Sequence, residues 1–454
     1  MRRLLAATSL IALGACATVP LEDTATRSVV LADTTLPPMK TFSPVRQQPP
    51  QRSNANIAAD FLDLHFRLES GRELPVFTRF EGPITVRVTG TPSETLGLDL
   101  RLLLGRLRSE AGINISQIAK GDANITIEAV SRADIRRTLP QAACFVVPNV
   151  SSLAQFRRER RSPHTSWANL RDRSKMAIFI PNDADPQEVR DCLHEELAQA
   201  IGPLNDMYRL RDSVFNDDNV HTVLTSFDML VLRATYAPEL RSGMSRAVVA
   251  ARLPGILARL NPSGASYPAE PVSPTPRVWV QAVQDALGPG TDPQARRVAV
   301  NTALEVARRE GWQDHRRGFS HYIAGRLLQS EDANGAQRHY EAALAAYDAT
   351  PDTDLHRAYV VTQMAAYALN HGEWQRALGL IEPALTTAET YQNAALKATL
   401  MLLRAEALDL AGRPQDARAV RLDSLGWARY GFGADWAVRA KMREIALLSP
   451  RGAG

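Results

Sequence analysis

The chain has 454 residues, of which 45% are hydrophobic and 22% charged, and its net charge is +4. That length suits two or three domains. After the first thirteen residues no apolar run is long enough to cross a bilayer core of about 30 Å, which excludes a chain built of membrane-spanning helices.

The N-terminus reads Met1, Arg2, Arg3 and then an apolar stretch over residues 4–13. A basic start followed by a short apolar run is the pattern of an export signal. Leu13, Gly14, Ala15 and Cys16 resemble the lipobox of bacterial lipoproteins. That resemblance implies cleavage before Cys16 and acylation of its sulfur. Several acyl chains, at about 0.8 kcal/mol per buried methylene, would anchor the chain essentially permanently. Ala17 follows Cys16 where an aspartate would mark inner-membrane retention, so the pattern implies the outer membrane, with the body facing the periplasm. A nucleic-acid partner is not expected of an exported chain. Residues 17–55 carry Pro20, Pro37, Pro38, Pro44, Pro49 and Pro50 with little periodicity and read as a tether.

Over residues 56–260 the predicted elements alternate. The spacing predicts a helix over 57–68 and a β-branched strand over 84–88. Leu96, Leu100, Leu103, Leu104, Leu107 and Ala111 then recur at helical intervals behind Ser93 as an N-cap. Strands are predicted over 124–130, 144–147 and 176–180. Asp185, Pro186 and Glu188 open a further helix as a capping box with proline in the first turn. Another helix is expected over 220–234. Arg157, Arg158, Arg160, Arg161, Arg171, Arg173 and Lys175 form a basic segment, either a solvated loop or a surface for phosphates of lipid or lipopolysaccharide.

The helix beginning near Pro186 holds the one run with a chemical pattern, Cys192, Leu193, His194, Glu195, Glu196, Leu197, Ala198, Gln199 and then Gly202, Asn205 and Asp206. A zinc-peptidase helix places two histidines four residues apart so that both imidazoles share a face, with a glutamate after the first as general base. If His194 is the first ligand, the second falls on Ala198, which cannot coordinate. If Glu195 takes that place, Glu196 becomes the base, Gln199 the second ligand and Asn205 the third, and Gly202 falls where the helix must end. Downstream, Ser213, Val214, Phe215 and Asn216 resemble the metzincin Met-turn, with Phe215 at the methionine position, followed by Asp217 and Asp218. Neutral amide oxygens hold zinc poorly. Oxygen donors suit calcium or magnesium better, and Asp206, Asp217 and Asp218 are near enough in sequence to contribute. His194, beside the apolar stripe of Val189, Leu193, Leu197 and Ile201, reads as a buried histidine with its needs met, although a zinc site recruiting His194 and His221 stays open.

With Cys144, the 192–199 run and residues 215–218, the stretch from about 57 to 260 resembles a domain-of-unknown-function family of bacterial lipoproteins. The resemblance implies an α+β, zincin-like (metzincin-like) domain and an envelope location, and supplies no substrate. Export puts Cys144 and Cys192 where disulfides can form; two separate buried thiols are the other reading. In a zincin-like fold the strand near Cys144 and the start of the motif helix would be neighbours, which implies a bridge.

Residues 261–276 form a second proline-rich stretch, read as a linker. Over 277–450 the chain turns helical, with Ala303, Ala343, Ala384 and Ser424 at intervals of 40 or 41 residues and Gly372 and Gly412 at the turns before the last two. This resembles tetratricopeptide repeats, about four helix pairs closed by a helix over 434–448. The expected protein is thus a membrane-anchored scaffold with a degenerate peptidase domain, no cofactor, and a protein partner on its helical repeats. The alternative is an envelope metallopeptidase with a noncanonical metal site.

Overall fold

The computed structural model describes residues 36–43 and 48–448; the expected signal segment and Cys16 lie outside them. Ser53 starts α1 (Asn54–Phe66) by accepting a hydrogen bond from Asn56 N, and the helix buries Ile57, Phe61 and Leu64. There follow β1 (Ile84–Gly90), α2 (Leu96–Glu110), β2 (Ile115–Gln117), β3 (Ile125–Val130), α3 (Arg132–Thr138), β4 (Phe145–Pro148), α4 (Leu153–Glu159), β5 (Met176–Pro181) and α5 (Pro186–Ile201). The expected elements are present within a few residues, and β2, α3 and α4 are additions. Ser93 is not the cap of α2: its backbone carbonyl, not its hydroxyl, meets Leu96 N.

The five strands form one sheet in the order β2-β1-β3-β5-β4, parallel except for β4, which runs antiparallel to β5. All six positions of β5 are buried, as a strand covered on both faces requires. Its side chains alternate between two cores. Met176, Ile178 and Ile180 join Leu100, Leu104, Leu193 and Leu197 under α2 and α5. Ala177 and Phe179 join Ile135, Phe145, Val147 and Leu153 under α3 and α4.

Next come α6 (Ser226–Thr235) and α7 (Arg246–Leu260). The helix expected from Val220 begins six residues later because Thr225 and Asp228 make a reciprocal capping box there. The stretch 261–276 holds a short 3-10 turn, Pro262–Ala265, and is tied to α1 where Asn56 bonds the backbone of Glu270 in both directions.

The remainder is helical and repeat-like: α8 (Arg277–Leu287), α9 (Pro293–Arg309), α10 (His315–Leu328), α11 (Ala333–Asp348), α12 (Asp354–Asn370), α13 (Trp374–Thr390), α14 (Ala394–Leu410), α15 (Pro414–Phe432) and α16 (Asp435–Ala446). Successive helices pack most closely as α8 with α9, α10 with α11, α12 with α13 and α14 with α15. Ala303, Ala343, Ala384 and Ser424 are all buried where these helices meet. Gly372 and Gly412 take φ of +73° and +76° in the turns before α13 and α15, a conformation that strains any residue with a side chain.

From Pro37 onward the described residues form one compact unit. The helical region lies directly on the mixed region. Gln187 Nε2 meets Asn393 Oδ1 at 3.2 Å, Tyr430 donates to Asp99 Oδ1 at 3.0 Å, and Tyr208 packs edge-on against Trp279. The proline-rich stretch expected as a free tether through residue 55 is held against this body where it is described. Arg429 donates to Pro37 O, Lys40 N donates to Gly426 O, and the Phe42 ring lies 4.5 Å from that of Trp427. Phe42 is the reason, since an aromatic ring among prolines gains more by packing than by solvation.

Candidate functional site

The motif helix α5 leaves the sheet directly after β5. Asp185 caps it by accepting from Glu188 N at 2.9 Å. The Glu188 carboxylate does not close the expected box; it turns to Arg132 of α3 at 2.7 Å. At the other end the helix stops before Gly202, as its glycine suggested. Arg173 is buried there and donates to the carbonyls of Gln199 and Gly202, a cation on the negative end of the helix dipole. Arg173 therefore does not belong to the solvent-facing basic segment in which sequence placed it.

Glu195, Glu196, Gln199, Asp206 and Asp217 are brought together, and Glu69, from the turn after α1, joins them electrostatically. Gln199 Nε2 donates to Asp206 Oδ2 at 3.1 Å. Glu196 is 5% exposed and its Oε2 has no hydrogen-bond partner, and Asp206 Oδ1 is likewise buried and unpartnered. Burial, then the charges of Asp217 and Glu69, pushes the Glu195 carboxyl up to about 8. Burial and Glu195 push Glu196 well above the usual carboxylate range, and the same forces act on Asp206. Asp217 is pushed up to about 6 by burial and Glu69. With like charges crowded and no cation among these side chains, Glu195, Glu196 and Asp206 favour their protonated forms. Such groups donate hydrogen bonds at neutral pH; they do not take protons from water.

The remaining motif residues are engaged elsewhere. His194 turns away from the carboxylates, its Nδ1 accepting from Leu224 N at 3.1 Å. Burial, with Arg106 and Arg190 nearby, holds it neutral, well below the usual range. Asn205 donates its amide to Asp63 O of α1 at 3.1 Å. Asn216 donates to Leu210 O and to Asp218 Oδ2 and accepts from Asp218 N, so it shapes a turn. Asp218 pairs with His356 of α12 at 2.8 Å. Burial opposes its charge, but His356 outweighs that and holds the carboxylate below its ordinary value. Phe215 is fully buried in the main core.

His194 and His221 are not brought together. His221 Nε2 donates to Arg211 O at 3.2 Å, and its ring lies 5.8 Å from that of His356, which in turn lies 5.9 Å from His315. This interfacial histidine group and Glu69 were missed from sequence, because only the docking of the helical region and the turn after α1 assemble them. The residues near α5 do not fit a catalytic zinc. The expected second and third ligands are neutral amides, whose oxygens hold zinc poorly, the imidazole faces away, and among the described residues no three His, Cys, Asp or Glu side chains converge in a metal-holding arrangement.

The expected bridge is formed. Cys144, just before β4, is bonded to Cys192 of α5 with Cα atoms 5.9 Å apart. It closes a loop over a sequence separation of 48, for which chain entropy gives about 4 kcal/mol.

Residues 54–255 match a protein family described as a protein of unknown function, DUF2927. The match runs from the start of α1 into α7, so it takes in the whole sheet and every motif residue while the helices from α8 onward lie outside it. No curated protein and no solved structure matches the chain.

Proposed function

We propose that this protein is a lipid-anchored envelope scaffold whose zincin-like domain has lost its chemistry and serves to bind. The observation that carries this reading is the fate of the motif histidine. His194, the one imidazole in the run, points to Leu224 N and leaves only carboxyls and amides beside Glu196. A zincin's glutamate acts on water that a cation has acidified; Glu196, held protonated by burial and Glu195, is a poor base. The zincin-like assignment is supported by the element order, with strand, helix and further strands ahead of a motif helix that follows β5 directly.

The anchor reading rests on Leu13, Gly14, Ala15 and Cys16. Tetratricopeptide-like helix pairs supply the partner surface. A groove of about 510 Å³ lined by Asp352, Asp354, Pro383 and Thr387 lies between the turn before α12 and the face of α13.

The alternative, a metallopeptidase with Glu196 as base and Glu195, Gln199 and Asn205 as ligands, has the unpartnered Glu196 Oε2 in its favour. Incubating the purified chain and its Glu196→Gln variant with unfolded protein substrates separates the two. The scaffold reading expects the same background from both, whereas cleavage lost only in the variant establishes the peptidase. The anchor is tested by Cys16→Ser, which should move the protein from the membrane fraction to the soluble one when membranes are washed at high salt.

A further inference from the structure

The two short helices on the outer face of the sheet edge carry most of the charge imbalance of this protein. Between Arg132 and Arg161 there are seven arginines against Asp134 and Glu159, a net of +5 in a chain whose total is +4. Helices α3 and α4 are held side by side over the small core of Ile135, Val147, Leu153 and Phe179. Arg157 joins them, its Nε donating to Thr138 Oγ1 at 3.0 Å and its Nη2 to Asp134 O at 2.9 Å. That contact sets Arg136 and Arg137 of α3 beside Arg158 of α4 and Arg160 and Arg161 just beyond it, and all of these are exposed.

Asp134 takes up Arg137 and Arg157. The guanidinium groups of Arg136, Arg158, Arg160 and Arg161 have no carboxylate partner among the described residues. Leu139, at the end of α3, is 39% exposed beside them. Arginines without counter-charges around one exposed apolar side chain suit a surface that is anionic outside and apolar beneath.

Pro37, near the start of the described residues, is held by Arg429 of α15. The end of α15 packs on the N-terminus of α5, where a Cβ on Gly433 would lie 3.0 Å from that of Asp185. Arg132 at the head of α3 bonds Asp183 and Glu188 in the same place. Residues 37–42 therefore lie over the α2 and α5 face of the sheet, and α3 and α4 cover its other face.

We propose that the arginine face of α3 and α4 docks on the phosphate headgroups of an anionic bilayer. The proposal builds on the envelope reading, in which the anchor keeps the body near such a surface, but the contact itself needs no lipid on Cys16. Each arginine near an anionic surface strengthens binding about fivefold at physiological salt, and the attraction fades over about 8 Å.

The test is sedimentation of the full chain carrying Cys16→Ser with vesicles of phosphatidylcholine alone or mixed equally with phosphatidylglycerol. The unlipidated protein should bind the mixed vesicles only and lose binding at high salt. The triple variant Arg158→Glu, Arg160→Glu, Arg161→Glu should bind at least about a hundredfold more weakly, with an unchanged thermal melt. A control reversal at the exposed Arg308, Arg309 and Arg338 should bind as before. Inorganic phosphate should not compete; if it does, the face is a phosphate-ion site. Equal binding by the two reversal variants, binding to phosphatidylcholine alone, preference for polyglutamate over vesicles, or no binding by the parent chain overturns the proposal. Failure of the anchor reading shows separately, as a chain with native Cys16 released to the soluble fraction by a high-salt wash.

Discussion

Replacing Glu195 by glutamine should stabilise the protein in mildly alkaline solution and leave it unchanged in acid. In the folded chain this carboxyl titrates at about 8 against an ordinary 4.5, because it is buried and faces Asp217 and Glu69. A folded pKa above the unfolded one means that the folded state holds the extra proton. Stability is therefore full below 4.5 and is lost as pH rises toward 8. Each pH unit in that window is worth about 1.4 kcal/mol, giving an upper limit of roughly 5 kcal/mol. Glu195 keeps partial contact with solvent and Glu69 is exposed, so screening brings the expected cost to about 2 kcal/mol. Glutamine removes the charge while keeping the shape. At an unfolding entropy of about 2.1 cal/mol/K per residue, a cooperative unit of this size should melt roughly 2 °C higher in the variant near pH 8 and at the same temperature near pH 5. Differential scanning calorimetry at both values reads this directly. A variant destabilised near pH 8 would refute the reasoning, for it would mean that the carboxylate is charged and holds a favourable partner such as a cation.

Three further outcomes follow from the same structure. Burial lowers His221 to about 4 and His315 to about 3 against an ordinary 6.5. At these two sites the folded state then binds fewer protons than the unfolded, so the parent should lose stability relative to a His221→Gln, His315→Gln variant as pH drops from 6.5 to about 4, and a difference that stays constant over that range would contradict the buried interfacial cluster. Replacing Cys144 and Cys192 together by serine should cost up to about 4 kcal/mol in denaturant unfolding, and thiol labelling of the denatured, unreduced parent should find neither sulfur reactive. Phe42→Ala should free the segment that packs on Trp427, seen as faster proteolysis within residues 36–50; unchanged cleavage would show that the ring does not hold it.

The fold was legible where one signal sufficed. The buried β5 reads as an unbroken apolar run, α2 as a leucine stripe, and α5 as Asp185 with Pro186. The three-residue β2 offers a single buried side chain, Ile115, too little for any periodicity. The start of α6 was misplaced because Val220, Val223 and Leu224 look like a helix face. In the structure Val220 belongs to the helical-region core and Leu224 N serves His194, while the Thr225 and Asp228 box that marks the true start was readable. The site divides in the same way. Local spacing located Glu195, Glu196, Gln199 and Asp206, and the periodicity of α5 correctly turned His194 toward the buried side. Glu69 and the grouping of His221, His315 and His356 carry no local pattern, since chain segments far apart in sequence bring them together.

The most direct test of the central claim is the zinc content of the full chain, purified without chelators and measured by elemental analysis after gel filtration. With carboxyls and neutral amides where imidazoles should be, the account predicts less than about one zinc per ten chains. One zinc per chain, retained through the column and lost in Glu195→Gln, would contradict it.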